Sequence, residues 1–421
     1  MDREEKVERA VLIGLDADIY TEAEAVSEST MDELSELLST AGGIEIARVI
    51  QHRSSPEPKT LIGTGKALEI AEFISDNDID LAVFDNELSP AQTKNLEDIL
   101  KVRVIDRSTL ILDIFASRAS SREGRLQVEL AQYKYILPRL AGSFSALSRL
   151  GGGIGTRGPG ETKLETDRRH IRRRISKIED ELESVMRVRS EQRRARLKRE
   201  IPLVALIGYT NAGKSTLLNA LTGSDIHAEN RLFDTLDPTA RKFPISDTAE
   251  VILSDTVGFI RKLPHHLTKA FRATLEELLF ADLLLLVSDV SNPEMATHGL
   301  VVEEVIKSLG AGDTPKLHVF NKCDLIDDIS PFEHDADSVC VSAATGFGFD
   351  NLKEKIAKML SLTSRKAEFE IPYKKSGLLD TLHRDAKVLS TEYKDEFILV
   401  CALVDDKTYG FIEHELRGDT K

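Results

Sequence analysis

The sequence predicts an α/β protein of several domains, and three observations lead to this class. The chain has 421 residues, which corresponds to about two to four domains with room for real cores. Apolar strand-like runs alternate with helical patterns over most of its length, as in mostly parallel sheets. One such run, at 203–207, leads into a glycine-rich loop and a helical pattern, an arrangement typical of phosphate-binding domains.

Composition and motif boundaries divide the chain into four predicted parts. Residues 1–110 form a small N-terminal parallel α/β domain, and residues 111–200 form a basic antiparallel helical hairpin with a glycine-rich loop at 149–160. Residues 201–362 form the P-loop domain. Residues 363–421 form a small C-terminal α/β appendage, with strand patterns at 368–373 and 397–404 around a helix near 375–387.

The N-terminal domain is expected to have strands near 10–13, 46–50, 81–84 and 102–105 and helices near 30–41, 65–76 and 90–100. The segment 63–66 (GTGK) lacks the leading glycine and the following Ser or Thr of a phosphate loop, so we interpret it as a turn that opens a helix. Asp85 and Asp106 follow strands, but they have no evident partners and we interpret them as loop residues.

Charge and cysteine usage favour a soluble cytosolic protein. The N-terminus MDREEK is too charged for a signal peptide, and no apolar run approaches the length that spans a membrane. The three cysteines, Cys323, Cys340 and Cys401, form no CxxC pair. They are expected to be reduced and to pack as small hydrophobic residues. A monomer is the default expectation.

The loop 208–215 reads GYTNAGKS, which is the GxxxxGK[ST] pattern. Its glycines let backbone N–H groups turn toward phosphate oxygens, Lys214 adds a positive charge, and Ser215 offers a hydroxyl to Mg²⁺. The alternative is an ordinary glycine-rich turn. The strand pattern before the loop and the helical pattern at 216–221 argue against that alternative.

Three further motifs follow in order, each at the end of a predicted strand. In 255–258 (DTVG), Asp255 is placed to hold Mg²⁺ through water, and the Gly258 amide can meet a γ-phosphate. In 321–324 (NKCD), Asp324 can accept from guanine N1–H and the N2 amine together, a pair that adenine lacks. In 342–344 (SAA), backbone amides would support the guanine carbonyl. Together these motifs predict a GTP-binding domain.

The predicted nucleotide-binding residues are Gly208, Tyr209, Thr210, Asn211, Ala212, Gly213, Lys214, Ser215, Thr216, Asp255, Gly258, Asn321, Lys322, Asp324, Ser342, Ala343 and Ala344. Mg²⁺ is expected at Ser215, Asp255 and a switch threonine, for which Thr235 is preferred to Thr239. Lys214, Thr235 and Gly258 are the expected catalytic residues.

Phe259 follows the DxxG motif, where many GTPases place a glutamine that orients water. A phenylalanine cannot polarise water, so hydrolysis is expected to be slow unaided unless backbone, a cation or a partner holds the water. No arginine finger can be assigned. Arg261 is near the switch but is equally compatible with a surface or RNA contact.

Two series of apolar residues predict the hairpin. Leu126, Leu130, Tyr133, Leu137, Leu140, Phe144 and Leu147 recur at intervals of 4 and 3, and a second series runs from Leu164 through Ile171, Ile175, Ile178 and Leu182 to Val185 at intervals of 7, 4 and 3. Both are heptad spacings. Pro138 and Gly142 fit poorly in the first arm, so a kink or an early end is expected there.

The hairpin is the basic part of an acidic chain. Residues 118–200 contain 21 Lys and Arg against 11 Asp and Glu, a net charge of +10. Because the whole chain has a net charge of −15, the rest of the chain carries about −25. Polyanion binding has two alternatives: the charged residues form a solvated helix face without a partner, and the glycine-rich loop is a flexible hinge. Because a simple helix connector needs only a few residues, we interpret the loop with its arginines as an RNA-binding element. The candidate contacts are Arg149, Gly151, Gly152, Gly153, Arg157, Gly158, Arg168 and Arg172.

Two stretches resemble one family closely. Residues 255–267 (DTVGFIRKLPHHL) with 270–277 (AFRATLEE) are similar to the second switch of the HflX family of translational GTPases, and 151–162 (GGGIGTRGPGET) is similar to that family's glycine-rich loop. The resemblance spans about residues 8–362. It implies a GTPase that binds the large ribosomal subunit and its rRNA, places the hairpin loop near the peptidyl-transferase centre, and can split stalled or idle ribosomes. It also implies activation by the subunit.

The resemblance extends to Asn211, since related GTPases use an asparagine at this loop position to coordinate K⁺. A purely structural role for Asn211 is equally compatible with the sequence. Two other functions stay open: a regulatory switch that binds a protein effector, and an RNA-binding module whose GTP site is structural. The basic glycine-rich loop disfavours the protein-effector switch. The intact set of Lys214, Ser215 and Asp255 disfavours a GTP site that is only structural.

Overall fold

The computed structural model describes residues 7–21, 25–142, 159–197, 201–223, 232–233, 239–246, 249–262, 276–332, 336–360, 362, 365–404 and 406–417. Contacts along the chain define two compact units. The first contains Met1–Arg193 with the segments Glu229–Asp237 and Val257–Thr274, and the second contains the remainder. Within the described residues, every helix is too short or too polar to cross a membrane.

The first unit is built on a parallel sheet of four strands in the order β2-β1-β3-β4. The strands are β1 Arg9–Ala17, β2 Ile44–Arg53, β3 Leu81–Phe84 and β4 Arg103–Asp106. The parallel α/β prediction for this region is confirmed. Because the strands are parallel, the residues that follow β3 and β4 lie at the same edge of the sheet.

Four helices accompany this sheet: α1 Glu28–Thr40, α2 Thr64–Asp76, α3 Pro90–Leu100 and α4 Arg107–Arg118. The turn at 63–66 opens α2, as predicted. Asp106 caps α4 by accepting from Thr109 N at 2.9 Å. It also accepts from Tyr135 Oη at 2.8 Å, so the interpretation of Asp106 as a loop residue without partners is wrong.

The hairpin arms are α5 Arg122–Gly142 and α6 Pro159–Leu197. Leu126 and Leu130 of α5 form one buried cluster with Ile178 and Leu182 of α6, which is the contact that the heptad spacing predicts. The helix α5 continues through Pro138 to Gly142, so the proline itself does not end the first arm. Arg139 lies over the ring of Tyr135 and donates to Leu88 O at 2.9 Å, which anchors the last turns in spite of the proline.

The second unit contains a six-stranded sheet in the order β10-β9-β8-β5-β7-β6. Its strands are β5 Leu203–Gly208, β6 Thr239–Pro244, β7 Glu250–Asp255, β8 Leu283–Asp289, β9 Lys316–Asn321 and β10 Ser338–Cys340. All pairings are parallel except β6 with β7. The helices α7 Lys214–Thr222, α8 Met295–Leu309 and α9 Phe349–Met359 follow β5, β8 and β10. Loops after parallel strands meet at the carboxyl edge, where ligands bind in this fold class.

The C-terminal part of this unit is an antiparallel sheet in the order β11-β13-β12. Its elements are β11 Arg365–Pro372, α10 Gly377–Asp385, β12 Lys387–Tyr393, β13 Phe397–Val404 and α11 Asp406–Arg417. The sequence predicted β11, α10 and β13 but missed β12 and α11. Apolar residues of both helices and of β11 and β13 share one buried cluster.

Candidate nucleotide-binding site

The loop 208–215 turns sharply between β5 and α7. Asn211 and Gly213 both have positive φ, +62° and +88°. A Cβ on Gly208 would collide with Val287 O, and one on Gly213 would collide with Asn321 Nδ2. Glycine is therefore required at both positions by close packing. The N-terminus of α7 that follows is a ready site for an anion, because its first N–H groups have no helical partner.

Lys214 is the buried cation of this loop. It is 6% exposed, and its Nζ donates to Tyr209 O at 2.8 Å. Burial lowers the pKa of Lys214 to about 8, and the nearby Asp255 carboxylate offsets part of that shift. A cation held in a protein interior gains much from an incoming phosphate, because the phosphate replaces the lost hydration.

Ser215 and Asp255 lie together at the carboxyl edge of the sheet. Ser215 Oγ donates to Asp255 Oδ2 at 2.7 Å, and Asp255 is 1% exposed. Thr256 reinforces this edge by donating from Oγ to Leu206 O at 2.6 Å. A hydroxyl beside a carboxylate provides the hard oxygen donors that Mg²⁺ prefers, so this pair fits the metal that the P-loop pattern implies.

Asn321 joins the phosphate loop to the loop after β10. Its Nδ2 donates to Ala212 O at 2.9 Å, and its Oδ1 accepts from Ala343 N at 3.0 Å. The side chain is 1% exposed and uses both ends of its amide. Asn321 therefore acts as a clamp between two motifs that are far apart in sequence.

Asp324, the last residue of the motif 321–324, is exposed, so the Asp324 carboxylate is accessible to a ligand. Lys322 has φ +65°, and its Nζ pairs with Asp289 Oδ2 at 2.6 Å. Ser342 is fully buried, and its Oγ accepts from Thr345 N at 3.2 Å. The exposed carboxylate of Asp324 is an acceptor, as the N1–H and the N2 amine of guanine require. The amides of Ser342 and Ala343 donate to Phe347 O and Asn321 Oδ1, so support of the guanine carbonyl by 342–344 stays a prediction.

The structure brings most of the predicted nucleotide-binding residues to one sheet edge of the second unit. Thr235 lies outside the described residues. Gly258 and the residues after it belong by their contacts to the first unit. Of the predicted RNA contacts, Arg149, Gly151, Gly152, Gly153, Arg157 and Gly158 lie outside the described residues. Arg168 and Arg172 lie on α6, half-buried and exposed respectively.

Sequence reasoning missed two supports of this edge. His298 of α8 stacks on the Tyr209 ring, with centroids 3.7 Å apart, and Asp289 at the end of β8 pairs with Lys322. Asp289 follows a strand at the ligand-binding edge, and this position was an available signal. His298 lies in a helix outside any motif, so the sequence offered no signal for it.

Three family descriptions match successive parts of the chain. "GTP-binding GTPase N-terminal" matches residues 28–116, "GTP-binding GTPase Middle Region" matches 118–196, and "50S ribosome-binding GTPase" matches 203–322. These matches cover the first sheet except β1, nearly all of the hairpin and most of the phosphate-loop domain.

Named relatives align over nearly the whole chain. The GTPase HflX of Caldanaerobacter subterraneus subsp. tengcongensis is 50% identical over 397 residues, covering 94% of this chain and 91% of the relative. The GTPase HflX of Escherichia coli K12 is 41% identical over 400 residues, covering 94% and 92%. A GTP-binding protein from the archaeon Sulfolobus solfataricus, solved with GDP, is 26% identical with a TM-score of 0.45, covering 85% of this chain and 99% of that chain.

Proposed function

The chain belongs to the HflX family of GTPases, and from this premise we propose that it binds the large ribosomal subunit and acts on stalled or idle ribosomes by dissociating the subunits. The observation that carries the proposal is the pairing of a GTPase domain described as 50S ribosome-binding with a long basic hairpin in the same chain. A protein with this role works in the cytoplasm.

The hairpin supports RNA binding through its length and its charge. With 39 residues, α6 is about 58 Å long at 1.5 Å per residue. Arg169, Arg172 and Arg173 on this helix are exposed, whereas Arg174 is bound to Glu129 of α5 at 2.8 Å. The three exposed arginines are thus available to phosphates, whereas Arg174 connects the two arms of the hairpin through its ion pair with Glu129. Backbone phosphates are the expected ligands of such a row.

We propose that the nucleotide and the metal bind at the carboxyl edge of the six-stranded sheet. Lys214 and the α7 N-terminus hold the phosphates, Asp324 holds guanine, and Ser215 and Asp255 hold Mg²⁺ together with Thr235. Bound Mg²⁺ would supply charge neutralisation on the transferred phosphate. We also propose K⁺ near Asn211. Equal GTP turnover in K⁺ and in Na⁺ would remove that assignment.

Phe259 explains why a ribosomal activator is expected. This residue is 2% exposed and has no polar atom on its side chain, so it cannot orient an attacking water. The water must then be placed by other groups, and GTPases that lack such a group in cis commonly receive it from a partner. In this proposal the large subunit is that partner.

Cosedimentation with purified large subunits tests the binding step. The variant carrying Arg172→Gln and Arg173→Gln is expected to bind more weakly, and wild-type binding should fall steeply between low and moderate salt, by about 10³-fold for several phosphate contacts. A matched control is the variant with Lys307→Gln and Lys358→Gln, two exposed lysines of α8 and α9. Equal loss in both variants, or a flat salt response, would exclude the hairpin as the RNA arm. Binding that survives RNase would favour a protein effector.

A further inference from the structure

Lys322 belongs to the motif 321–324, and a carboxylate of a neighbouring strand holds its ammonium group. Lys322 Nζ pairs with Asp289 Oδ2 at 2.6 Å, and the two side chains are only 26% and 17% exposed. Asp289 is the last residue of β8 and lies opposite Asn321 in the parallel ladder of β8 and β9. The ion pair therefore connects the carboxyl ends of two adjacent strands.

Asp289 is itself fixed by the loop that follows β8. Its Oδ1 accepts from Ser291 N at 2.9 Å and from Ser291 Oγ at 2.5 Å, and its Oδ2 faces Lys322. Val290 N donates to Asn321 O at 3.1 Å, which ties this loop to β9 beside the pair. Both oxygens of Asp289 are thus engaged, and the carboxylate cannot turn away from Lys322 without breaking the turn at Ser291.

A carboxylate that follows a strand also holds a cation in the first unit. Asp85 follows β3, and its Oδ1 accepts from Arg107 Nη1 at 2.5 Å. The interpretation of Asp85 as a loop residue without partners is therefore wrong. Asp85 and Arg107 are both buried, whereas the pair of Asp289 and Lys322 lies next in sequence to an accessible carboxylate.

This accessible carboxylate is that of Asp324, two residues after Lys322. Asp324 is exposed, and no side chain in the described part of the chain pairs with it. Because a lysine carries its charge on a flexible four-carbon stem, a Lys322 without its partner can bring its ammonium to a carboxylate two residues away. The ammonium would then occupy the acceptor positions that guanine N1–H and the N2 amine require.

We propose that Asp289 is a positioning residue for guanine recognition, an assignment that rests on the proposed binding of guanine by Asp324. Asp289 sequesters the ammonium of Lys322 at the end of β8 and so keeps the Asp324 carboxylate free for the base. Without this pairing, guanine would have to displace a charge-assisted hydrogen bond from Asp324. Every guanine nucleotide would then bind more weakly, whatever its number of phosphates.

The test measures the dissociation constants of GDP and of inosine diphosphate for the full chain without ribosomes, in wild type and in Asp289→Asn. Asparagine keeps an oxygen for the turn at Ser291 and removes the charge that holds Lys322. GDP is expected to bind about 3- to 10-fold more weakly, as a competing ion pair near the surface would cause. Inosine lacks the N2 amine and has one bond fewer to lose. The ratio of the inosine diphosphate constant to the GDP constant should therefore fall.

The double variant Asp289→Asn with Lys322→Met separates sequestration from support of the loop. Methionine keeps an unbranched apolar stem and removes the ammonium, so no cation of this motif competes for Asp324. The double variant should bind GDP more tightly than Asp289→Asn alone, and its ratio of the two constants should return toward the wild-type ratio. The two changes do not add because they act on one interaction.

Glu303→Gln is the matched control. It removes the carboxylate that pairs with Nζ of Lys316, the first residue of β9, at 3.0 Å, and these side chains are exposed to a similar degree, 29% and 21%. The control should leave both dissociation constants unchanged. Thermal unfolding of every variant checks that it folds.

Equal weakening of GDP and inosine diphosphate binding in Asp289→Asn would show that the pair only supports the shape of the loop, and it would overturn the proposal. A double variant that binds GDP no better than Asp289→Asn would overturn it too.

Asp324→Asn, measured in parallel with xanthosine diphosphate, tests the assignment of Asp324 itself. If this variant does not prefer xanthine, the binding of guanine by Asp324 is excluded, and the role of Asp289 is excluded with it. If it prefers xanthine while Asp289→Asn binds GDP like wild type, only the role of Asp289 is excluded.

Discussion

The ring of Tyr209 stacks on the ring of His298, with centroids 3.7 Å apart and planes inclined by only 6°. Tyr209 is the second residue of the phosphate loop, and its carbonyl oxygen accepts from Lys214 Nζ at 2.8 Å. The helix α8 therefore supports the loop residue whose carbonyl oxygen holds Lys214, the lysine that we propose binds phosphate. This support lies outside every nucleotide-binding motif.

We expect His298→Ala to weaken the binding of GTP and GDP alike. An aromatic stack contributes about 0.5–1.5 kcal/mol, which corresponds to roughly a 2- to 10-fold rise in both dissociation constants. His298→Phe keeps a flat ring at this position and should retain most of the affinity. Titration with a fluorescent GDP measures both variants. Wild-type affinity in His298→Ala would show that the stack does not support the loop.

Asp324→Asn should change the base preference from guanine to xanthine. The asparagine amide can accept from N1–H and donate to the xanthine 2-carbonyl, whereas the guanine N2 amine would face a donor. The GTP affinity is expected to fall by about 10²-fold or more, with XTP becoming the better ligand. Asp324 is exposed, so the fold should be unaffected. Competition between GTP and XTP measures the change, and an unaltered preference for GTP would contradict the assignment of Asp324.

Gly213→Ala should reduce nucleotide affinity by about 10-fold or more, through backbone strain at φ +88° and a collision with the Asn321 amide. Gly223→Ala is the matched control: Gly223 has φ +63°, but its Cβ would meet open space. The control shares the backbone strain and lacks the collision. Similar affinities in the two variants would mean that the Asn321 clamp is dispensable.

Glu45→Gln should lower the thermal unfolding midpoint at pH 7. The side-chain hydrogen bond from Arg48 is the main cause that holds the pKa of Glu45 below its ordinary value. The folded state therefore binds fewer protons at acid pH than the unfolded one. This stabilisation is present above the unfolded-state pKa of about 4.3 and is lost as the pH falls through the lower folded-state pKa.

The expected difference at pH 7 is about 1–3 °C, since a partly exposed ion pair contributes roughly 0.5–1 kcal/mol. It should shrink when the melts are repeated below about pH 4. Glu69→Gln, which removes the more exposed partner of Lys66, serves as the control and should change the midpoint little. A difference that persists at acid pH would contradict the role given to Glu45.

The motifs of the nucleotide site could be predicted because each is short, contiguous and placed at the end of a strand. Parallel strands bring such ends to one edge, and the structure places Lys214, Ser215, Asp255 and Asn321 there. The supports of that edge could not be predicted. His298 stacks on a residue 89 positions away, and no local pattern encodes a contact of that range.

The fold shows the same limit in two places. The strand β12, Lys387–Tyr393, alternates weakly between apolar and polar residues, so its pairing with β13 decides its conformation. The helix α5 keeps Pro138 because Arg139 bonds Leu88 O and Asp106 outside the helix. Tertiary contacts override local preference in both cases.

GTP hydrolysis by the purified protein, measured with and without purified large ribosomal subunits at fixed K⁺ and Mg²⁺, tests whether the ribosome is the activator. Because Phe259 supplies no group that orients water, we expect slow turnover by the protein alone and stimulation by about 10-fold or more on the subunit. Unstimulated turnover by protein that still binds GTP would contradict this expectation and favour a switch that acts on a protein effector.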